Sequence, residues 1–395
     1  MFEELTNESS GPLTGYTVIE IAGIGPAPFA CMILADLGAT VIRVDRASAV
    51  SSNTDDGADT VNMAKSDVLN RNKYSIGVDL KSPKGIQVVL RLVESADVLI
   101  EGFRPNVAEK LGIGPEDCSK VNKKLVYGRM TGWGQTGPMS NVAGHDINYI
   151  ALSGVLSAIG RKDEPPVPPL NLVGDFGGGG MYLVVGVLAA LLEAQRSGRG
   201  QVVDAAMVDG AAILASMIFG MKASGFWTEN KGENLIDTGA HFYEVYETKD
   251  GKYISIGAIE PQFYAEFLRL GEIEDPDFNR QWDRQNWPNL KEKLKQIVLT
   301  KTQQEWMDRF EGSDACVAPV LTMEEARFHE HNQSRNTFIE VDGVLQPAPG
   351  PRFSKNTLKT PHPPVMPGAH SRQVLQCLNY SSDEIKDLFE NQAVK

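Results

Sequence analysis

Short apolar runs alternate with amphipathic stretches through the first third of the chain. Tyr16–Ala22 (YTVIEIA) reads as a buried strand, Gly23–Pro28 as a tight turn, Phe29–Leu37 as a helix closed by Gly38, and Thr40–Asp45 as a second strand. Ser75–Asp79, a helix over Pro83–Glu94, Asp97–Ile100 and Leu125–Met130 continue the alternation. Strands separated by helices specify an open parallel sheet covered by those helices, so the pattern predicts an α/β fold.

Farther along, the apolar period lengthens. A Gly/Trp turn at Thr131–Pro138 precedes a helix over Ile147–Gly160 and a Pro-rich loop at Arg161–Pro169. A long apolar helix opens near Asp175 and runs to about Arg196, and another extends from Ala205 to about Gly225. From Thr238 the character changes to short strands (Phe242–Glu247, Tyr253–Gly257) and helices near Gln262–Leu270, Asn289–Leu299 and Gln303–Phe310, which predicts a smaller α+β domain. Beyond about Gln346 a Pro-rich tail leads to helices at Ser371–Leu378 and Asp383–Asn391, too little to fold alone. The expected organisation is a discontinuous large domain (1–206 and 346–395), a linker helix (207–237), a small domain (238–330) and a return linker (331–345).

Composition narrows the function classes. With 38 Lys+Arg against 51 Asp+Glu the net charge is -13, which repels nucleic acid and anionic membrane. The apolar run Met181–Leu192 is short and interrupted by Gly186, and the N-terminus lacks a basic segment followed by an apolar one, so neither membrane insertion nor secretion is expected. Cys31, Cys118, Cys316 and Cys377 lie far apart with no metal-ligand or redox spacing. The C-terminal Ala393-Val394-Lys395 is not a peroxisomal tripeptide, and a cytoplasmic location is the expectation.

Several strings carry candidate chemistry. Gly23-Ile24-Gly25-Pro26 resembles a dinucleotide turn, but the third glycine is missing and Pro26 and Pro28 remove amide donors, so it reads as a packing turn. His145, between Gly144 and Asp146, can act as a base beside a helix start or serve structure, and Asp146 can cap that helix. Asp175 precedes four consecutive glycines, which lose much backbone entropy on folding and suit a place where chain or ligand must come close. Glu260 lies between a strand and a helix, where it can cap the helix or orient an imidazole. Arg43, Arg46, Arg71, Lys73, Lys81 and Arg104 crowd the first 104 positions of an acidic chain, as expected if one end of the sheet meets a polyanionic ligand, while any single one of them reads first as solvated surface charge. Met207, Ile218, Phe219, Met221 and Trp227 read as core.

The strings GIGPAPFACMILADLGATVIRVDR, VYGRMTGWGQTGP, AGHDINY, NLVGDFGGGG, GQVVDAAMVDG and GAIEPQFY together resemble the α-methylacyl-CoA racemases of the family III CoA-transferase superfamily, over about Gly11 to Arg352. The resemblance implies a large Rossmann-like domain that binds coenzyme A, a smaller domain, and two chains threaded into an interlocked homodimer with each site at the subunit boundary. It implies no metal, and no cofactor beyond the CoA carried by the acyl-CoA substrate. By position His145 and Asp175 match the two proton-transfer residues, and Glu260 matches the carboxylate that partners the histidine. Arg46, Val78, Asp79, Leu80, Lys81, Gly144, Asp146, Ile147, Asn148 and Tyr149 match segments lining the CoA site. Lys110 departs from the arginine that relatives can carry, and lysine cannot make a bidentate guanidinium contact.

The implied reaction interconverts (2R)- and (2S)-2-methylacyl-CoA by 1,1-proton transfer through an enolate. Imidazole titrates near ~6.5 but a free aspartate near ~3.9, so Asp175 must be raised, and partial burial would raise it. The alternative within the superfamily is acyl-CoA:carboxylate CoA transfer, with the aspartate as a nucleophile forming mixed anhydrides.

Overall fold

The computed structural model describes residues 10–50 and 65–395. Six strands, β1 (Thr17–Ile21), β2 (Thr40–Arg46), β3 (Lys73–Val78), β4 (Val98–Glu101), β5 (Val126–Thr131) and β6 (Val202–Ala206), form one sheet in the order β3-β2-β1-β4-β5-β6. All five pairings are parallel. The chain starts at the centre, winds to one edge, returns, and winds to the other. That reversal between β1 and β4 leaves a crevice at the carboxyl ends of the strands.

Strands β1 to β5 are buried on both faces, which is why they read as nearly continuous apolar runs, whereas the edge strand β6 is exposed over its first half. In β1, Val18 packs with Ala30, Leu34, Leu183 and Val187 from the helices Pro26–Asp36 and Tyr182–Ser197. Its neighbour Ile19 faces the other way, toward Val88 and Leu92 of the helix Pro83–Glu94 and Val374 and Leu375 near the C-terminus. The chain ends against the sheet edge, where Val394 pairs with Val78 and the Asp79 N–H donates to Ala393 O at 3.0 Å.

The described residues fall into two compact units, one within Met1–Ser153, Leu170–Leu214 and Asn336–Lys395, the other comprising Gly154–Pro169 and Ala215–Arg335. The second unit holds an antiparallel sheet of Tyr243–Glu247, Tyr253–Gly257 and Val317–Val320. Helices Pro261–Gly271, Trp287–Val298 and Gln303–Phe310 cover it around Phe242, Phe267, Phe278, Trp287 and Trp306.

Several details differ from the pattern-based expectation. The helix beginning at residue 146 stops at Leu152, just before Gly154 at φ 85°, a left-handed conformation that suits glycine. The stretch 207–237 is two short helices, Met207–Leu214 and Ser216–Ala223, divided between the units, and the second ends before Gly225 at φ 75°. The expected return linker contains a strand, Phe338–Val341, and Gln346 is buried, its side-chain oxygen accepting from Arg71 at 2.8 Å. The apolar run at 181–192 lies in a continuous helical stretch, Leu172–Ser197, that is long and apolar enough to cross a membrane by length and composition. Leu183, Val184 and Val187 of that stretch are instead buried against the sheet.

Candidate active site at the carboxyl edge of the sheet

A cavity of about 720 Å³ opens where β1, β2, β4 and β5 end. Its walls are the turn Ala22–Ala27, Arg46, Gly102–Arg104 and Met130–Trp133, faced by Ala143–His145, Tyr149, Asp175 and Met207. Open α/β sheets bind ligands at this place because loops leaving neighbouring strands part there.

Asp175 sits in a π-helical stretch, Leu172–Met181, in which the Phe176 N–H reaches back five residues to Asn171 O at 3.3 Å. The glycine run permits this wide turn to pack tightly. A Cβ on Gly178 would stand 2.5 Å from Ala211 N, and one on Gly180 would stand 2.5 Å from Phe29 Cδ1. Widened turns of this kind recur at functional sites. Here the turn brings the Asp175 carboxyl to the cavity wall. Burial pushes its pKa above the usual carboxylate value and Asp146 adds to the rise, against a hydrogen bond donated by Asn171 Nδ2 to Oδ2 (3.1 Å) and the charge of His145.

His145 is exposed at the N-cap of the helix Asp146–Leu152. Its backbone N–H donates to Asn148 Oδ1 at 3.0 Å, which fixes the helix start that carries the imidazole. Tyr149, one turn on, donates its hydroxyl to Gly144 O and sets its ring edge-on to Trp133 with centroids 4.7 Å apart. Burial pushes the Tyr149 phenol up.

The basic residues sort into two groups. Arg43 pairs with Asp45 (2.7 Å), Arg71 with Asp36 (2.5 Å) and Lys73 with Glu20 (2.7 Å), all of them buried. Arg46 and Arg104 are exposed in the cavity wall, with no carboxylate partner among the described residues. The β4 exit that carries Arg104 is held from below, since Arg129 pairs with Glu101 (3.0 Å) and Glu101 accepts the Phe103 N–H. Two unpaired guanidinium groups in an acidic protein suit a phosphorylated ligand.

Of the residues singled out from sequence, the structure brings Arg46, Gly144, His145, Tyr149 and Asp175 together. Asp146 lies behind the wall, buried, and binds the Asp175 backbone rather than facing a ligand. Asn148 lines an adjoining hollow of about 430 Å³ with Trp133 and Leu152, and Ile147 is exposed outside both. Asp79, Leu80 and Lys81 follow β3 outside the cavity, and Val78 is a fully buried core side chain. Glu260 is exposed at the N-cap of Pro261–Gly271 in the second unit.

Sequence reasoning placed Arg104 only within a group of basic residues suited to a polyanionic ligand, missed Trp133, read Met207 as core and took the Gly23–Gly25 turn as packing only. A Cβ on Gly25, at φ 72°, would stand 3.5 Å from Asp175 Oδ2, so that turn faces the carboxyl. The usable signal was position, since each of these residues follows the end of a parallel strand. Ile218, Phe219 and Trp227 line a small hollow in the second unit, and Phe219 is largely exposed rather than core. Among the described residues no group of His, Cys, Asp and Glu is arranged to hold a metal ion.

Comparison with known proteins agrees with this architecture. The chain is 45% identical over 386 residues to the Mus musculus protein named alpha-methylacyl-CoA racemase, with 97% of each chain covered. It is 41% identical to the Homo sapiens protein of that name, again over 97% of each. The crystal structure of a CAIB/BAIF family protein from Brucella suis superimposes with a TM-score of 0.78 at 25% identity, covering 93% of this chain and 100% of that one. Residues 13–371 match CoA-transferase family III, and the chain belongs to that family.

Proposed function

We propose that the protein is a racemase of 2-methylacyl-CoA thioesters, with His145 and Asp175 as its acid/base pair. The observation that carries the reading is one cavity wall holding an exposed imidazole, a carboxyl raised by burial and two arginines with no carboxylate partner among the described residues. The names of the similar mouse and human proteins support the same substrate class.

In one direction neutral His145 takes the proton from C2, the C–H electron pair moves into a planar enolate, and protonated Asp175 returns a proton to the other face. For the opposite hand the roles reverse. Charge gathers on the thioester oxygen, and the first-turn amides of Asp146 and Ile147, which have no intrahelical acceptor, are the donors assigned to it. Each such donor contributes about 3 to 4 kcal/mol to the transition state. Arg46 and Arg104 would hold the phosphates of CoA, which is part of the substrate, so the reading calls for no resident cofactor.

The reading extends to an interlocked homodimer in which Glu260 meets a His145 imidazole, orients it and favours its protonated form. Apolar side chains exposed on the helices, among them Val185, Leu192, Met217 and Phe219, support a covering second copy.

The test is a single enantiomer of a 2-methylacyl-CoA in deuterated water with no acceptor acid. Deuterium at C2 with loss of optical rotation is expected. No exchange, with CoA moving to an added carboxylate, would assign Asp175 instead as the nucleophile of a CoA transferase, the activity in the family's name.

A further inference from the structure

His145 and Asp146 are sequence neighbours that the fold sends in different directions. The imidazole belongs to the cavity wall, whereas Asp146 is 6% exposed and turns toward the π-helical stretch. Its Oδ1 accepts the Asp175 backbone N–H at 2.6 Å, and its Oδ2 is buried with no hydrogen-bond partner among the described residues. Gly174 makes this approach possible, because a Cβ there would stand 2.7 Å from Asp146 Cγ.

An aspartate at a helix start ordinarily serves the amides of its own first turn. This one reaches a residue 29 positions downstream and leaves an oxygen orphaned, at a cost that packing alone does not explain. Resting on the acid/base reading above, we propose that Asp146 is a positioning residue that sets the register between His145 and Asp175 and balances the charge of the pair.

The backbone that carries the imidazole and the backbone that carries the carboxyl are joined through one short side-chain bond, so the two groups cannot drift apart while it is intact. Asp146 opposes ionisation of Asp175 in the same direction as burial, and His145 and Asn171 act the other way.

Other ionisable groups nearby are Tyr149 on the helix of Asp146, and Arg46 and Arg104 in the wall. On the elements packed against the stretch, Asp36 is paired with Arg71, Arg129 with Glu101, and Asp204 accepts the Gln135 N–H. Asp209 and Arg196 are exposed, and Glu193 accepts from Ser197.

A pair that alternates as acid and base carries one proton between its members in the working state, and works best when their proton affinities are matched. Removing the Asp146 charge lets Asp175 release its proton more readily. The one-proton pair then collects in the form with His145 charged, which leaves too little His145 free as base in one direction and makes Asp175 a weaker base in the other.

The experiment compares wild type, Asp146→Asn and Asp146→Ala for C2 deuterium uptake from one enantiomer of a 2-methylacyl-CoA across pH. Asn keeps an acceptor for the Asp175 N–H but loses the charge. It should lower kcat about tenfold with KM within about twofold, and move the acid limb of the kcat/KM profile to lower pH. Ala loses the bond as well and should lower kcat about a hundredfold. An Asn variant with wild-type kcat and a superimposable acid limb overturns the proposal, whether or not the Ala variant folds. Wild-type protein that exchanges no C2 proton overturns the acid/base reading beneath it, a result separable from either variant.

Discussion

Each unit of the protein places a histidine in a different world. In the first, His145 is exposed at a helix start, in a cavity wall with Asp175, Arg46 and Arg104. In the second, His241 is fully buried, with Nε2 at 2.7 Å from the Tyr264 hydroxyl and the rings of Phe242 and Phe278 edge-on around it. Burial lowers its pKa from 6.5 to about 3, and the Lys291 charge adds to the fall. An imidazole is a chemical group only where water, substrate and counter-charge reach it, and otherwise it packs as a neutral aromatic with a polar tip.

The contrast can be broken most decisively at the cavity. His145→Ala and Asp175→Ala should each lower turnover by about 10²- to 10⁴-fold with thermal unfolding little changed, as read by steady-state racemisation and calorimetry. Activity within threefold of wild type in both would end the distinction between the two histidines. His241→Ala should do the reverse. It removes a buried hydrogen bond and empties space among aromatic rings, so urea titration should show a loss of about 2 to 4 kcal/mol with turnover per folded molecule within twofold.

Two smaller effects sharpen the comparison. Arg46→Ala and Arg104→Ala should each raise KM for the thioester about tenfold with little change in kcat, and the double variant should lose most of the ionic-strength dependence of kcat/KM. Below pH 6.5 the unfolded chain protonates residue 241 while the folded unit keeps it neutral down to about 3, so stability should fall with pH across that window. The first unit of pH below 6.5 should cost about 1 kcal/mol, and His241→Gln should flatten that part of the slope. An unchanged slope would place the acid sensitivity elsewhere.

Most of the parallel sheet was readable along the chain because a strand buried on both faces needs a run of apolar residues, and the helices between strands show their own period. Bounds shifted by one to three residues, as where the helix read from Phe29 opens at Pro26, since proline lacks only an N–H that the first helical turn does not use. The strand Val317–Val320 escaped notice. Its four residues alternate between half-buried and exposed, which leaves no apolar run to detect. The widened turn around Asp175 was also hidden, because a glycine run states that something comes close without stating what.

Residue order alone determined the α/β class and the strings that mark His145 and Asp175, because each depends on local period or on a short motif, whereas the strand order with its reversal between β1 and β4 came from the structure. Only the tertiary structure decided which charges remain available. Arg43, Arg71 and Lys73 are consumed in buried pairs while Arg46 and Arg104 are left to the cavity. It also decided that Asp146 grips the backbone of Asp175. Burial, and pairings such as Arg71 with Asp36 or Lys73 with Glu20, relate residues distant in the chain, and no short window of sequence contains them.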